Sequence, residues 1–226
     1  MNIFVFLLKH RCAPRAAGCQ FRYDRVMEFL HRAQHRAKPG AGSIALLPGA
    51  WNPPTRAHVA MLRASLAWAD EGILVLPRAL PHKEFDGAAL ARRADWIRSI
   101  AVANGLSAAI SDGGLFIEMA RECRAATAAS RVYLVCGRDA AERIVGWDYV
   151  ELSPIGAQLD EYQLLVAPRG GAYMPPEHLA ARIHALALGD DWHEVSSTEV
   201  RQRILNGTAW AEFVPAEIAA DVRAAY

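Results

Sequence analysis

Two short stretches carry residues whose types and spacing suit the binding of a large anion. In G-A-W-N-P-P-T-R-A-H, residues 49–58, the prolines Pro53 and Pro54 stop an apolar run and open a helix. Pro54 suits a first helical turn because it gives up an N–H that would have no partner there. Thr55 and His58 lie three residues apart, so both side chains leave one face at the helix N-terminus. That end carries free N–H groups and a partial positive charge, which favours a phosphate. Asn52 is placed to cap this helix. The second stretch is S-S-T-E-V-R, residues 196–201. Ser196 and Glu199 form a capping box. Ser197 and Thr198 precede Arg201 by four and three residues, so hydroxyls and a guanidinium share a face, and a guanidinium fork grips phosphate oxygens in pairs. Two helix N-termini with converging donors are what a triphosphate needs.

Two weaker signals accompany them. Pro81-His82-Lys83 puts a positive charge in a loop after an apolar run. Cys136-Gly137-Arg138-Asp139 pairs a glycine, where a ligand can approach the backbone, with a carboxylate that can accept from ribose hydroxyls. Each motif also has a plain structural use: helix initiation at Asn52–Thr55, helix capping at Asp139 and Ser196, and a solvated Lys83.

The elements that position these residues follow from periodicity. Near-continuous apolar runs at 43–48, 72–77, 106–111, 131–136 and 162–167 are expected as strands, with a shorter one at Trp192–Val195. Amphipathic patterns at 55–70, 88–103, 115–127, 176–187, 197–206 and 215–225 are expected as helices. Alternation of this kind means a parallel sheet covered on both faces, an α/β doubly wound fold. Ligands then bind beyond the carboxyl ends of the strands, where the strand order reverses. All four motifs follow strands. Gly49 is expected to let the chain turn there and to admit a ligand.

Residues 1–42 differ from residues 43–226. They hold eight Lys/Arg against Asp24 and Glu28, a net +6, while the rest holds 17 basic and 22 acidic residues. This segment reads as a basic extension, with a short helix over Phe21–His35 and a linker at Lys38–Gly42. It is either a peripheral appendage or a docking arm. The whole chain of 226 residues carries a net charge of +1, which gives no general case for nucleic acid. Cys12, Cys19, Cys123 and Cys136 form no C-x-x-C pair, so reduced thiols and a cytoplasmic location are expected. The apolar run Ile3–Leu8 is too short for a membrane span. His31 and His35 lack the further ligands a metal would need. His178 and His184 are expected on the surface of a helix, and Met61, Trp68 and Trp96 in the core.

Together, the 49–58 stretch, P-H-K, G-R-D with Trp147 eight residues after Asp139, and S-S-T-E-V-R resemble the nicotinate/nicotinamide mononucleotide adenylyltransferases. Those enzymes belong to the nucleotidyltransferases marked by a (T/H)-x-x-H signature. The resemblance spans Gly49 to about Arg203. It implies a Rossmann-like, three-layer α/β/α fold that transfers AMP from ATP to a nicotinate or nicotinamide mononucleotide, giving a dinucleotide and pyrophosphate. It implies catalytic roles for Thr55, His58 and Arg201. ATP contacts fall to Gly49, Ala50, Lys83, Gly137, Asp139, Ser196, Ser197 and Thr198, and acceptor contacts to Asn52 and Trp147. Mg²⁺ would come with ATP, held mainly through phosphates. The expected partners are ATP and a phosphorylated small molecule, with a homo-oligomer left open.

The chain departs from this family at three places. The Ser-Tyr-Thr that those bacterial enzymes carry after the third strand reads D-G-G-L-F-I-E at 112–118. Pro48 replaces the first glycine of their Gly-Gly pair, and Trp51 precedes the Asn. The donor half matches and the acceptor half does not. A related transferase using another phosphorylated acceptor, and a nucleotide-binding protein without turnover, therefore stay open.

Overall fold

The computed structural model describes residues 26–33, 42–79, 87–149, 152–168, 171–189 and 195–226. Lys83, Cys12, Cys19, His35 and the Trp192–Val195 strand, apart from Val195, fall outside them.

Seven strands form one sheet: β1 (Glu28–His31), β2 (Ser43–Pro48), β3 (Glu71–Pro77), β4 (Ser107–Ser111), β5 (Arg131–Gly137), β6 (Gln163–Ala167) and β7 (Ile183–Ala185). Their order is β1-β4-β3-β2-β5-β6-β7, and every pair except β1–β4 is parallel. The helices are α1 (Arg56–Ala64), α2 (Leu90–Asn104), α3 (Phe116–Thr127), α4 (Arg138–Val145), α5 (Ile155–Gln158), α6 (Ser197–Leu205) and α7 (Ala219–Arg223).

Alternate strand residues feed two separate cores. Ala45, Leu47, Leu74, Leu76 and Val135 pack with α1, α2 and α7 residues such as Leu62, Ile97 and Val222. Ile44, Leu46, Ile73, Val75 and Leu134 pack with α3 and α4 residues such as Met119, Cys123 and Ala141. This is the expected three-layer arrangement, and it explains why the central strands read as unbroken apolar runs. Each fully buried Leu or Ile contributes about 1.5–3 kcal/mol of transfer free energy. Burial also pushes the Cys123 and Cys136 thiols up to about 12, so both stay protonated and unreactive.

From β2 the chain steps outward to β3 and β4, then returns to β5 on the other side of β2 and continues to β6 and β7. The order reverses between β2 and β5. Leu46 pairs with Leu134 there, a register that sets Gly49 level with Gly137 at the two carboxyl ends.

Three expectations fail at the sheet edges. The helix expected over Phe21–His35 is instead strand β1 at Glu28–His31. The open edge of β4 supplies backbone partners, Phe29 and Leu30 fall to opposite cores, and Arg32 bonds the buried Glu71. The helix expected over 176–187 is a 3₁₀ turn at Glu177–Arg182 followed by β7, which pairs with β6. His184 therefore lies on a strand, bonds Gln163 at 2.9 Å and stacks on Trp68 at 4.7 Å between centroids. Trp68, expected in the core, is 39% exposed and covers His184 and Tyr133 from outside. Trp96 is buried as expected. Among the described residues no helix is long and apolar enough to cross a membrane.

Candidate active site

The β2–α1 turn folds into a compact knot at the reversal of strand order. Trp51 adopts φ 55° and turns its indole back beneath the turn, donating to the Val75 carbonyl at 2.8 Å. A Cβ on Gly49 would meet that ring at 3.0 Å. The close approach expected of a ligand at Gly49 is thus taken by the chain's own indole. Gly137 differs: a Cβ there meets no described atom within 4 Å. Gly137 caps α4, and Asp139 stands exposed in its first turn.

His58 is held from two sides. The Thr55 N–H donates to its Nδ1 at 3.0 Å, and the Thr55 hydroxyl lies 2.7 Å from the same nitrogen. The Trp51 indole meets the imidazole edge-on at 5.2 Å between centroids. Because Nδ1 accepts the backbone proton, the neutral ring carries its own proton on Nε2. Thr55 is fully buried beneath the half-buried histidine, so it orients the imidazole.

α6 docks its N-terminus on the same turn. Ser196 Oγ accepts from Glu199 N at 3.1 Å, the expected cap. Ser197 Oγ donates to the Pro53 carbonyl at 2.7 Å. Arg201 Nη1 donates to the Asn52 carbonyl at 2.5 Å, and its Nη2 lies 3.4 Å from the exposed Thr198 hydroxyl. Two positive helix ends therefore meet at Asn52–Pro53, with an imidazole on one and a guanidinium on the other.

Thr55, His58, Asn52, Ala50, Ser197, Thr198 and Arg201 come together, and Gly137 and Asp139 sit across the reversal point. Trp147 stands past the far end of α4, about 12 Å of helix from Gly137, and is 39% exposed.

Several residues of the site were not singled out from sequence. Arg93 of α2 is 6% exposed and donates to the Ala50 and Ala88 carbonyls, both at 2.9 Å. Burial lowers its pKa, partly offset by Tyr226. Its signal was positional: Arg93 shares a helix face with Trp96, Ile97 and Ile100. Asn52 Oδ1 accepts from Ala88 N at 3.2 Å and from the Tyr226 hydroxyl.

The β4–α3 turn is built differently. Glu122 Oε1 and Oε2 accept from Gly113 N at 2.8 Å, Ser111 Oγ at 2.7 Å and Asp112 N at 3.2 Å. Glu118 accepts from Gly114 N at 2.9 Å and Leu115 N at 3.0 Å. The N–H groups of the loop that leads into α3, from Asp112 to Leu115, are spent on the chain's own carboxylates.

The fold and this placement of motifs define a nucleotidyltransferase. The sequence model of the cytidylyltransferase-like family matches residues 46–203, and the chain belongs to that family. No curated protein matches its sequence. Two solved structures of nicotinic acid mononucleotide adenylyltransferase from Plasmodium falciparum are similar in fold. The one complexed with APC has a TM-score of 0.54, and the one complexed with NaAD 0.57. Each is 17% identical over 80% of this chain, and the matches cover 94% and 93% of those chains respectively.

Proposed function

We propose that the protein transfers AMP from ATP to nicotinate or nicotinamide mononucleotide. The observation that carries this reading is the meeting of the α1 and α6 N-termini at Asn52–Pro53, with His58 and Arg201 on one turn. An acceptor phosphate oxygen attacks the α-phosphorus of ATP. The bond from that phosphorus to the oxygen bridging to the β-phosphate breaks, and pyrophosphate leaves with the electron pair. His58 donates through Nε2 to the α-phosphate as charge shifts. Thr55 fixes the imidazole, while Arg201, the Thr198 hydroxyl and the backbone N–H of Ser197 at the start of α6 hold the β- and γ-phosphates, with Ser196 capping their helix. Gly137 and Asp139 face the ribose. Ala50 and Gly49 line the turn, and Asn52 and Trp147 bound the acceptor side. No covalent enzyme intermediate is required, because positioning and charge neutralisation suffice for phosphoryl chemistry.

The side chains gathered around His58 offer imidazole, hydroxyl and guanidinium donors, a set that suits phosphate oxygens. Mg²⁺ would arrive bound to the triphosphate and neutralise part of its charge.

A second acceptor reading has its own support. With Glu118 and Glu122 filling the start of α3, that turn favours an acceptor lacking a carboxylate there: the carboxamide mononucleotide, or another phosphorylated molecule. Pyrophosphate release with ATP or CTP and a panel of phosphorylated acceptors separates these. Release with either mononucleotide supports the first reading, and release with nicotinamide but not nicotinate mononucleotide shows in addition that the carboxylate is excluded. Release only with an unrelated acceptor replaces it.

A further inference from the structure

The Asn52–Pro53 turn is also held from the last residue. α7 is anchored on α2: Trp96 Nε1 donates to Asp221, Asn104 donates to Glu217 at 2.8 Å, and Val222 and Ile218 lie in the core. This anchoring delivers Tyr226 to the turn, where its hydroxyl donates to the buried Asn52 Oδ1. The backbone carbonyl of the same Asn52 receives Arg201, and the next carbonyl receives Ser197. Tyr226 and the Ala88 N–H thus hold the side chain of the residue whose backbone carbonyl meets Arg201. Burial raises the Tyr226 pKa, against the pull of the nearby Arg201 and Arg93, so the phenol remains a donor at neutral pH.

We propose that Tyr226 is a positioning residue for the phosphate grip, acting through Asn52, whose backbone carbonyl aligns Arg201. This rests on the reading of α1 and α6 as the ATP side of the site. Tyr226→Phe keeps the ring and removes only the donor. A net hydrogen bond corresponds to about a two- to tenfold change in an equilibrium constant. An effect carried through Arg201 must vanish once Arg201 is gone, whereas general loosening of the fold would persist.

The test is a double-mutant cycle of wild type, Tyr226→Phe, Arg201→Ala and the double variant. Affinity for a non-hydrolysable ATP analogue is measured by calorimetry, and KM and kcat by pyrophosphate release, at a temperature where all four are folded by circular dichroism. Tyr226→Phe should weaken analogue binding about three- to tenfold, raise KM for ATP with a smaller change in kcat, and add nothing in the Arg201→Ala background. Unchanged affinity, or equal losses in both backgrounds, overturns the proposal. If wild type binds the analogue but turns over no mononucleotide, the acceptor reading falls while the binding cycle still decides the role of Tyr226. If wild type does not bind it, both fall.

Discussion

Two helix starts at the carboxyl edge of the sheet use the same physics in opposite ways. At the β2–α1 turn, joined by α6, the chain builds a positive end and adds a histidine and an arginine to it. At the β4–α3 turn it lays Glu118 and Glu122 against the N–H groups of the loop leading into the helix. A helix end of this kind favours an anion by about 0.3–1 kcal/mol at an exposed site. On the proposed reading the first turn keeps that preference for a phosphate, while the loop before α3 meets its own carboxylates. Two turns on one edge of a sheet thus differ through a few side chains.

The contrast can be broken most forcefully at His58. His58→Ala should lower turnover about 10²–10³-fold, the scale of losing one preorganised donor at developing charge. Pyrophosphate release at saturating substrates measures it, and a near-normal rate would remove His58 from the chemistry. Arg201→Ala should weaken ATP binding about tenfold or more, since hydrogen bonds from a charged group contribute about 1.5–3 kcal/mol. Calorimetry with ATP reads this directly.

The opposite turn sharpens the comparison. Glu122→Gln keeps an acceptor oxygen and removes a charge. It should shift preference toward a carboxylate-bearing acceptor by about fivefold or more, since one nearby charge is worth about 1 kcal/mol in water and more beside a buried group such as Glu122. The ratio of kcat/KM for nicotinate and nicotinamide mononucleotide measures the shift. An unchanged ratio would mean that the turn does not set acceptor charge.

The smallest effect lies away from both turns. Burial lowers the pKa of His184, so the folded state binds its proton less readily than the unfolded chain. Its contribution to stability is therefore present above the unfolded value and is lost as pH falls below about 6.5. Melting curves at pH 7.5 and 5.5 should show a smaller acid-induced drop for His184→Gln than for wild type.

The helix starts at Thr55 and Ser196 were legible in sequence because their cues are local. Prolines, a capping box and residues three or four apart act within one turn of helix, and long apolar strands such as Ile73–Leu76 reveal a sheet buried on both faces. The edge strands β1 and β7 were not legible. Each spans three or four residues, and its partner edge, rather than its own pattern, makes it a strand. The self-capped α3 was half legible: Glu118 three residues after Leu115 fits a capping position. Glu122 looks like an ordinary helix surface until the turn wraps around it. There a Cβ on Gly113 would lie 2.5 Å from Glu118 Cβ and 3.1 Å from a Glu122 oxygen, so only glycine leaves both carboxylates room. Tyr226 acts on Asn52 across 174 residues, a distance no local pattern reports.

The most direct test of the account is ATP-dependent pyrophosphate release with nicotinate and nicotinamide mononucleotide, run in parallel on wild type and His58→Ala. Wild type should release pyrophosphate coupled to an AMP-containing dinucleotide, and the variant should lose at least about a hundredfold in rate. Absence of release with either mononucleotide, or equal release from the two proteins, would contradict it.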